Sequence, residues 1–242
     1  MLTVVRRTLA SSNLLVFPGT QPRFNQSHPL AFGCMQATIA VVGPAGLAIA
    51  GVNSAKTGIN AGTPTGRILP NLGNCFNITS GADSSTFTGF PTTNITSGTF
   101  ATTTQVTSTA VQYFCSMGTT NAALFGTLAS GNVFVGGTGN SNVDSGIALS
   151  INVPYFVIAS FNAGLTNFVI LRLDNGTIRT ATSGTGLSVA ITQSGSVGFG
   201  TWPAHGVSGT SSSAQALWPN KFFDINTLLL AAKNPWSLWY AR

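Results

Sequence analysis

The sequence predicts an all-β protein of antiparallel strands, finished by one short C-terminal helix. Three observations carry that expectation. Residues 152–182 hold two apolar runs of strand length, separated by a Gly-containing break at Ala163–Asn167. A third run follows directly after Asp174-Asn175-Gly176. Asn-Gly between strand-like segments is a strong hairpin signal, since a type I′ turn needs φ > 0 at both central residues. Second, strand-sized runs recur at short spacing between clusters of Gly, Ser, Thr and Asn, the pattern of a sandwich or barrel. Third, Ile225, Leu228, Leu229 and Ala232 follow i, i+3, i+4, i+7 spacing after Asp224, a suitable N-cap, and before Pro235, which stops a helix.

Taken in order, residues 1–29 read as an extended arm with one short strand at Leu14–Phe17. No apolar segment there has the length or cleavage site of a signal peptide. Residues 34–52 are almost wholly apolar and long enough to suggest a membrane span. Gln36, Pro44 and three glycines interrupt them, and Gly43-Pro44-Ala45-Gly46 is a turn signal, so two short buried strands are expected instead. Residues 99–111 are short and largely β-branched, which suits strands. Further strands are expected over residues 111–117, 123–127, 132–136, 147–153, 187–192 and 196–200, with a polar loop over residues 139–146. The body should therefore span residues 30–223, with the helix and an aromatic tail over residues 224–242.

Only 6% of the 242 residues are charged, against about 25% in ordinary soluble domains. There are four aspartates and no glutamate. A surface so poor in charge is expected to lie against partners, and the chain to form a homo-oligomer. The net charge of +6 comes from scattered Lys and Arg with no basic run, so no nucleic-acid partner is expected. Cys34, Cys75 and Cys115 are odd in number and lack C-x-x-C spacing, which points to free buried thiols and to no zinc site.

Reactive constellations are scarce. Asp174 belongs to a hairpin turn and Asp224 to a helix cap, which leaves Asp83 and Asp144 in separate loops as a poor carboxylate pair. His28 and His205 have no Gly-x-Ser-x-Gly elbow beside them. Asn140, Asn142 and Asp144 superficially resemble a calcium loop, but one carboxylate is too few. Neither metal, nor cofactor, nor catalytic residue is therefore expected. Trp202, Trp218, Tyr155 and Tyr113 would stack on sugar rings if exposed, although such aromatics more often fill a core. The set offered to a neutral glycan is Trp202, Tyr155, Asn140, Asn142 and Asp144.

Three places carry a family resemblance. His28-Pro29-Leu30-Ala31 with Gly33, the hairpin over residues 155–182, and the tail Asn234-Pro235-Trp236 with Leu238 and Trp239 resemble phage and prophage proteins with a laminin-G-like, concanavalin-like domain. The tail is similar to that family's terminal Asn-Pro-Trp-x-Leu-Phe signature, with Trp239 in place of Phe. Phe32 and Cys34 stand where the family often has a basic and an aliphatic residue. The resemblance implies a jelly-roll sandwich in a virion structural protein of the head, head-tail region or tail, made in the bacterial cytoplasm. It implies a non-enzymatic role, with capsid, portal-region or tail proteins as partners. The alternative is a receptor-recognition module for a host surface glycan. Trp236, Leu238, Trp239 and Tyr240 are the residues expected to dock the tail or close the sandwich.

Overall fold

A computed structural model describes residues 5–8, 23–43, 46–52, 58–61, 65–78, 84–87, 93–117, 123–137, 142–187, 191–193, 197–199 and 210–240. Strands are numbered along the chain. The larger sheet runs β1 (Val5–Thr8), β17 (Thr177–Ser183), β16 (Thr166–Arg172), β15 (Pro154–Phe161), β10 (Gly98–Val106), β20 (Thr210–Pro219), β3 (Gln36–Gly43), β4 (Gly46–Val52). β3 takes Ala214–Leu217 of β20, and β7 (Gly73–Ile78) takes Thr210–Ser212 on the same edge. β6 (Thr65–Leu69) pairs with β7. The second sheet runs β14 (Val143–Ala148), β13 (Asn132–Gly137), β12 (Ala123–Thr127), β11 (Gln112–Met117), β19 (Val197–Phe199), β8 (Ser84–Phe87), β5 (Gly58–Ala61). Two short pairs complete the strands: β9 (Thr93–Ile95) with β18 (Ile191–Gln193), and β2 (Arg23–Phe24) with β21 (Trp239–Tyr240). One helix, α1, spans Ile225–Lys233. The molecule is an antiparallel jelly-roll β-sandwich with a short C-terminal helix.

Several expectations are met in outline and corrected in detail. Residues 34–52 form the hairpin β3–β4, with Gly43 opposite Gly46. No helix among the described residues is long and apolar enough to cross a membrane. β15, β16 and β17 are consecutive antiparallel neighbours. Their second connection is not a type I′ turn, because Gly176 alone has positive φ, at 71°. Leu173 is buried and its N–H donates to Pro154 O at 2.9 Å, which keeps it beside β15 and stretches the connection to four residues. The polar loop expected over residues 139–146 is half strand: β14 begins at Val143 and ends at Ala148, with residues 149–153 a loop. Val143, Ser145 and Ile147 point inward while Asp144, Gly146 and Ala148 face solvent, so one face suffices to hold it. Leu14–Phe17, the Pro44-Ala45 turn, Asp83, Asn140, Trp202 and His205 lie outside the described residues.

The larger sheet is covered on both faces. Against the second sheet it turns Phe100, Val157, Ala159, Phe161, Phe168, Ile170 and Leu217, which meet Phe114, Phe125, Val133 and Val135. Phe100 stacks on Phe125 and Phe161 at centroid distances of 5.4 and 6.0 Å. Its outer face carries Ala101, Phe156, Ile158, Val169, Leu171 and Trp218, packed under Leu228, Ala231, Ala232, Trp236, Leu238 and Trp239. Every residue of β15 is buried in consequence. That is why Tyr155–Phe161 reads as a continuous apolar run rather than an alternation. Asp224 caps α1 by accepting from Thr227 N at 2.8 Å; this bond holds its carboxyl below the usual aspartate range.

Two segments far apart in sequence, residues 23–31 and 234–240, meet on that outer face. His28 Nδ1 accepts from Leu30 N at 3.1 Å, and its Nε2 lies 2.9 Å from Ser237 Oγ. Asn25 N donates to Leu238 O at 2.8 Å, and Asn25 Nδ2 to Ser237 O at 3.2 Å. Trp218 Nε1 donates to Leu30 O at 2.6 Å. β2 then pairs with β21, setting Phe24 opposite Trp239. The His-Pro-Leu-Ala segment and the Asn-Pro-Trp tail thus form one clasp over the buried sheet. Cys34, Cys75 and Cys115 form no disulfide; burial pushes the Cys115 thiol up and keeps it unreactive.

Two outcomes are expected. A chain ending at Lys233 uncovers the outer face and loses cooperative unfolding, and Leu228→Ala in the full chain costs about 3 kcal/mol in denaturant titration. Burial lowers the pKa of His28 from 6.5. The unfolded chain therefore binds the extra proton first. The clasp's contribution is complete above pH 6.5 and is lost as pH falls toward the folded value. Urea midpoints measured at falling pH should drop over that window, and His28→Asn should flatten that leg.

Candidate functional site

One end of the sandwich gathers four described loops. Val106 at the end of β10 pairs with Thr210, Gln105 with Pro154, Tyr155 with Arg172, and Gln112 with Thr127. The connections over residues 107–111, 128–131, 149–153 and 173–176 therefore emerge together. Thr210, the first residue of β20, also stands here.

Each described loop is pinned at its root by side chains. Gln112 Nε2 donates to Ser108 O and Oγ, both at 2.9 Å. In the 149–153 loop Ser150 N donates to Tyr155 Oη at 3.0 Å, and Asn152 N to Val106 O at 2.8 Å. Asn152 sits in the left-handed region at φ 59°, a conformation asparagine tolerates better than most residues. In the 173–176 loop Asn175 Oδ1 accepts from Thr177 N at 3.0 Å, and Gly176 N donates to Arg172 O at 2.9 Å. Arg172 grips Asp174 with two bonds, Nε to Oδ1 at 3.0 Å and Nη2 to Oδ2 at 2.6 Å. That pair raises the guanidinium pKa, chiefly through the hydrogen bond to Asp174. With a third of each side chain in solvent, its net worth is under about 1 kcal/mol. What this end presents outward is hydroxyl and amide: Thr109, Ser130, Ser150, Asn152 and Asn175 are exposed, with Ile151 among them.

Of the residues singled out for a glycan, the three that are described, Tyr155, Asn142 and Asp144, do not converge. Tyr155 lies at this end, but it is 4% exposed and its hydroxyl already serves Ser150 N. Asn142 is at the opposite end, just before β14. Asp144 lies on the edge strand, where it accepts from Asn132 Nδ2 at 3.1 Å and from Gly146 N at 2.7 Å. No group of three or more His, Cys, Asp or Glu side chains that would hold a metal ion occurs among the described residues. Asp144, Asp174 and Asp224 each serve a different local partner. Trp236, Leu238 and Trp239 are 3, 6 and 5% exposed and belong to the outer core, while Tyr240 pairs with Arg23. A recess of about 10 Å³, room for about one water, lies beneath this tail, lined by Ala101, Phe156, Ala216, Pro235, Leu238 and Trp239. Of its polar side chains, Thr103 is bonded to Ser213 at 2.6 Å and to Ala214 N at 2.9 Å and Thr102 donates to Ala214 O, while the side-chain amide of buried Gln215 has no partner among the described residues. The recess is too small for a sugar or any larger ligand.

Sequence reasoning missed Arg172 with Asp174, and Asn152. The signal for Asn152 was present: an isolated asparagine between Ile151 and Val153, just ahead of Pro154, in a run otherwise apolar.

No protein-family model and no curated protein matches this chain. Solved structures do. The binding domain of Paraclostridial Mosquitocidal Protein 1 aligns over 86% of this chain and 53% of its own, with a TM-score of 0.59 and 6% identity. Trypanosoma rangeli sialidase in complex with sialic acid aligns over 86% of this chain and 34% of its own, at 0.52 and 10%. The enzymatically active domain of tailspike protein 2 from bacteriophage CBA120 aligns over 74% and 30%, at 0.48 and 18%. The chain thus spans about half of the first protein and about a third of the others. At such identities the likeness establishes the β-sandwich fold, and nothing of ligands. It also corrects one expectation. A non-enzymatic role was inferred from the scarcity of carboxylates, yet this sandwich recurs over most of its length within a sialidase chain, so that inference is withdrawn.

The left-handed turn at Asn152 yields a direct test. Asn152→Gly should leave stability nearly unchanged, whereas Asn152→Ala should cost about 1 kcal/mol, read as a shift in the denaturant midpoint.

Proposed function

We propose that the chain is a receptor-recognition module of a phage tail, binding a neutral glycan of the host surface through the loop end around Arg172, Asn175 and Asn152. The observation that carries this reading is the chemistry of that end. Five exposed hydroxyl and amide side chains stand on loops whose roots are tied to the two-faced sheet, beside one guanidinium–carboxylate pair. Sugar hydroxyls both donate and accept, and such groups match them without the desolvation cost of free charges. Loops anchored at their roots also lose little freedom on binding.

Two further facts support the reading. The fold is shared with a protein domain described as a binding domain. The His28–Ala31 and Asn234–Trp239 segments, which resemble phage proteins, form a single clasp in space, as a shared structural signature would. The virion is the location this reading implies, with tail proteins as neighbours. The charge content of 6% favours a second role beside it, packing against other virion proteins through neutral surface.

Arrays of neutral host polysaccharides and virion adsorption assays test the proposal. Arg172→Ala and Asn175→Ala should each weaken binding about tenfold, near 1.4 kcal/mol, while leaving the melting temperature almost unchanged. Wild-type protein that retains no polysaccharide and does not compete with phage adsorption would reject it.

A further inference from the structure

Sheet edges are templates for pairing, and proteins guard them with charge, proline, bulges or brevity. Among the described strands all but one are guarded. β1 carries Arg6 and Arg7, β6 carries Arg67, and β14 carries Asp144 beside an irregular register with β13. β5 has four residues, and the remaining short pairs have two or three. β4 is the exception. It is the last strand of the larger sheet, seven residues long, and reads Gly46-Leu47-Ala48-Ile49-Ala50-Gly51-Val52. Neither it nor β3 contains a charge or a proline. β3 takes one of its edges, and among the described residues no strand hydrogen-bonds to the other, although the two-residue β2 comes close to β4.

From this contrast we infer that β4 pairs with β4 of a second copy of this chain, extending the larger sheet across a two-fold axis. The sequence suits self-pairing. An antiparallel ladder centred on Ile49 sets Ile49 against its own counterpart, Ala48 against Ala50, Leu47 against Gly51 and Gly46 against Val52. Each cross-strand pair then joins two small residues or a large residue with a glycine, apart from the central pair. The size match of these pairs makes the strand complementary to itself, as a two-fold contact requires. Main-chain hydrogen bonds supply the attraction, as in other strand additions. No charge on either strand opposes them. The pairing does not depend on the receptor reading.

Sedimentation velocity on the full chain, from nanomolar to high-micromolar concentration, should give a concentration-dependent dimer. Hydrogen exchange should show the amides of residues 46–52 protected in the dimer and released on dilution. Ile49→Lys and Ile49→Asp each place like charges face to face at the axis and should weaken the dimer more than tenfold. An equimolar mixture of the two variants should restore it, with circular dichroism confirming that each is folded. A wild-type monomer at every concentration overturns the inference. So does an oligomer whose β4 amides exchange as in the monomer, a reading that needs no variant.

Discussion

The constraint on which this molecule depends is that its larger sheet is buried on both faces. A sheet with one solvated face needs a single partner layer. This one presents Val157, Ala159 and Phe161 to the second sheet and Phe156 and Ile158 to the other side. Leaving either side in water would expose several side chains, each worth roughly 1.5–3 kcal/mol on burial. The outer layer is therefore part of the fold and no ornament. It is assembled from two segments far apart in sequence: α1 with the tail, and the His28–Ala31 turn. Neither piece covers the sheet alone, which is why they are stitched together through Ser237, Asn25 and the indole of Trp218.

Burial on both faces creates a second problem, which the composition answers. β10 and β20 bring Thr99, Thr102, Thr103, Thr104, Ser211, Ser212 and Ser213 into the interior. A buried hydroxyl without a partner is costly. Here they pair mostly with one another and with main-chain carbonyls. Thr103 meets Ser213, Ser212 donates to Thr104, Ser211 donates to Asn77, and Thr102 donates to Ala214 O. The break in register between Thr103 and Thr104 lets two successive residues of β20 answer one threonine. Thr99 lies 2.8 Å from Ser160, whose oxygen also accepts from Phe223 N and so ties the approach to α1. The same Ser and Thr content that leaves the chain poor in charge thus makes a polar sheet interior compatible with a dry sandwich.

How much of this was legible follows from the range of the interactions. β15 to β17 and α1 were readable because their determinants are local: continuous apolar runs, a glycine in a turn, four apolar residues on one helical face before a proline. β14 was half missed, because Asp-Ser-Gly looks like a loop and only Val143 and Ile147 mark the buried face. The turn at Asn175-Gly176 was assigned the wrong type because the burial of Leu173, a tertiary event, sets its length. Nothing local says that His28 will meet Ser237 across the whole length of the chain. The candidate site was the least legible part. Its loops converge only through strand pairing, so Tyr155 and Asn142, close in sequence, stand at opposite ends of the sandwich.

That separation bears on how such a molecule recognises anything. A ligand end made of exposed loops is poor at binding when its loops must be ordered first. Here the order is inherited from the sheet. Asn152 is held by Val106 main chain, Ser150 by the Tyr155 hydroxyl, and Asn175 by the turn that the burial of Leu173 lengthens. Each anchor is a residue of, or beside, a strand that the two covering layers immobilise. The tips remain free to vary in side chain without disturbing those anchors, because Thr109, Ser130 and Ser150 face solvent. The layer built by the clasp thus does its work at a distance. By burying the second face of the sheet it fixes the strand ends, and the strand ends fix the loops that a ligand would meet.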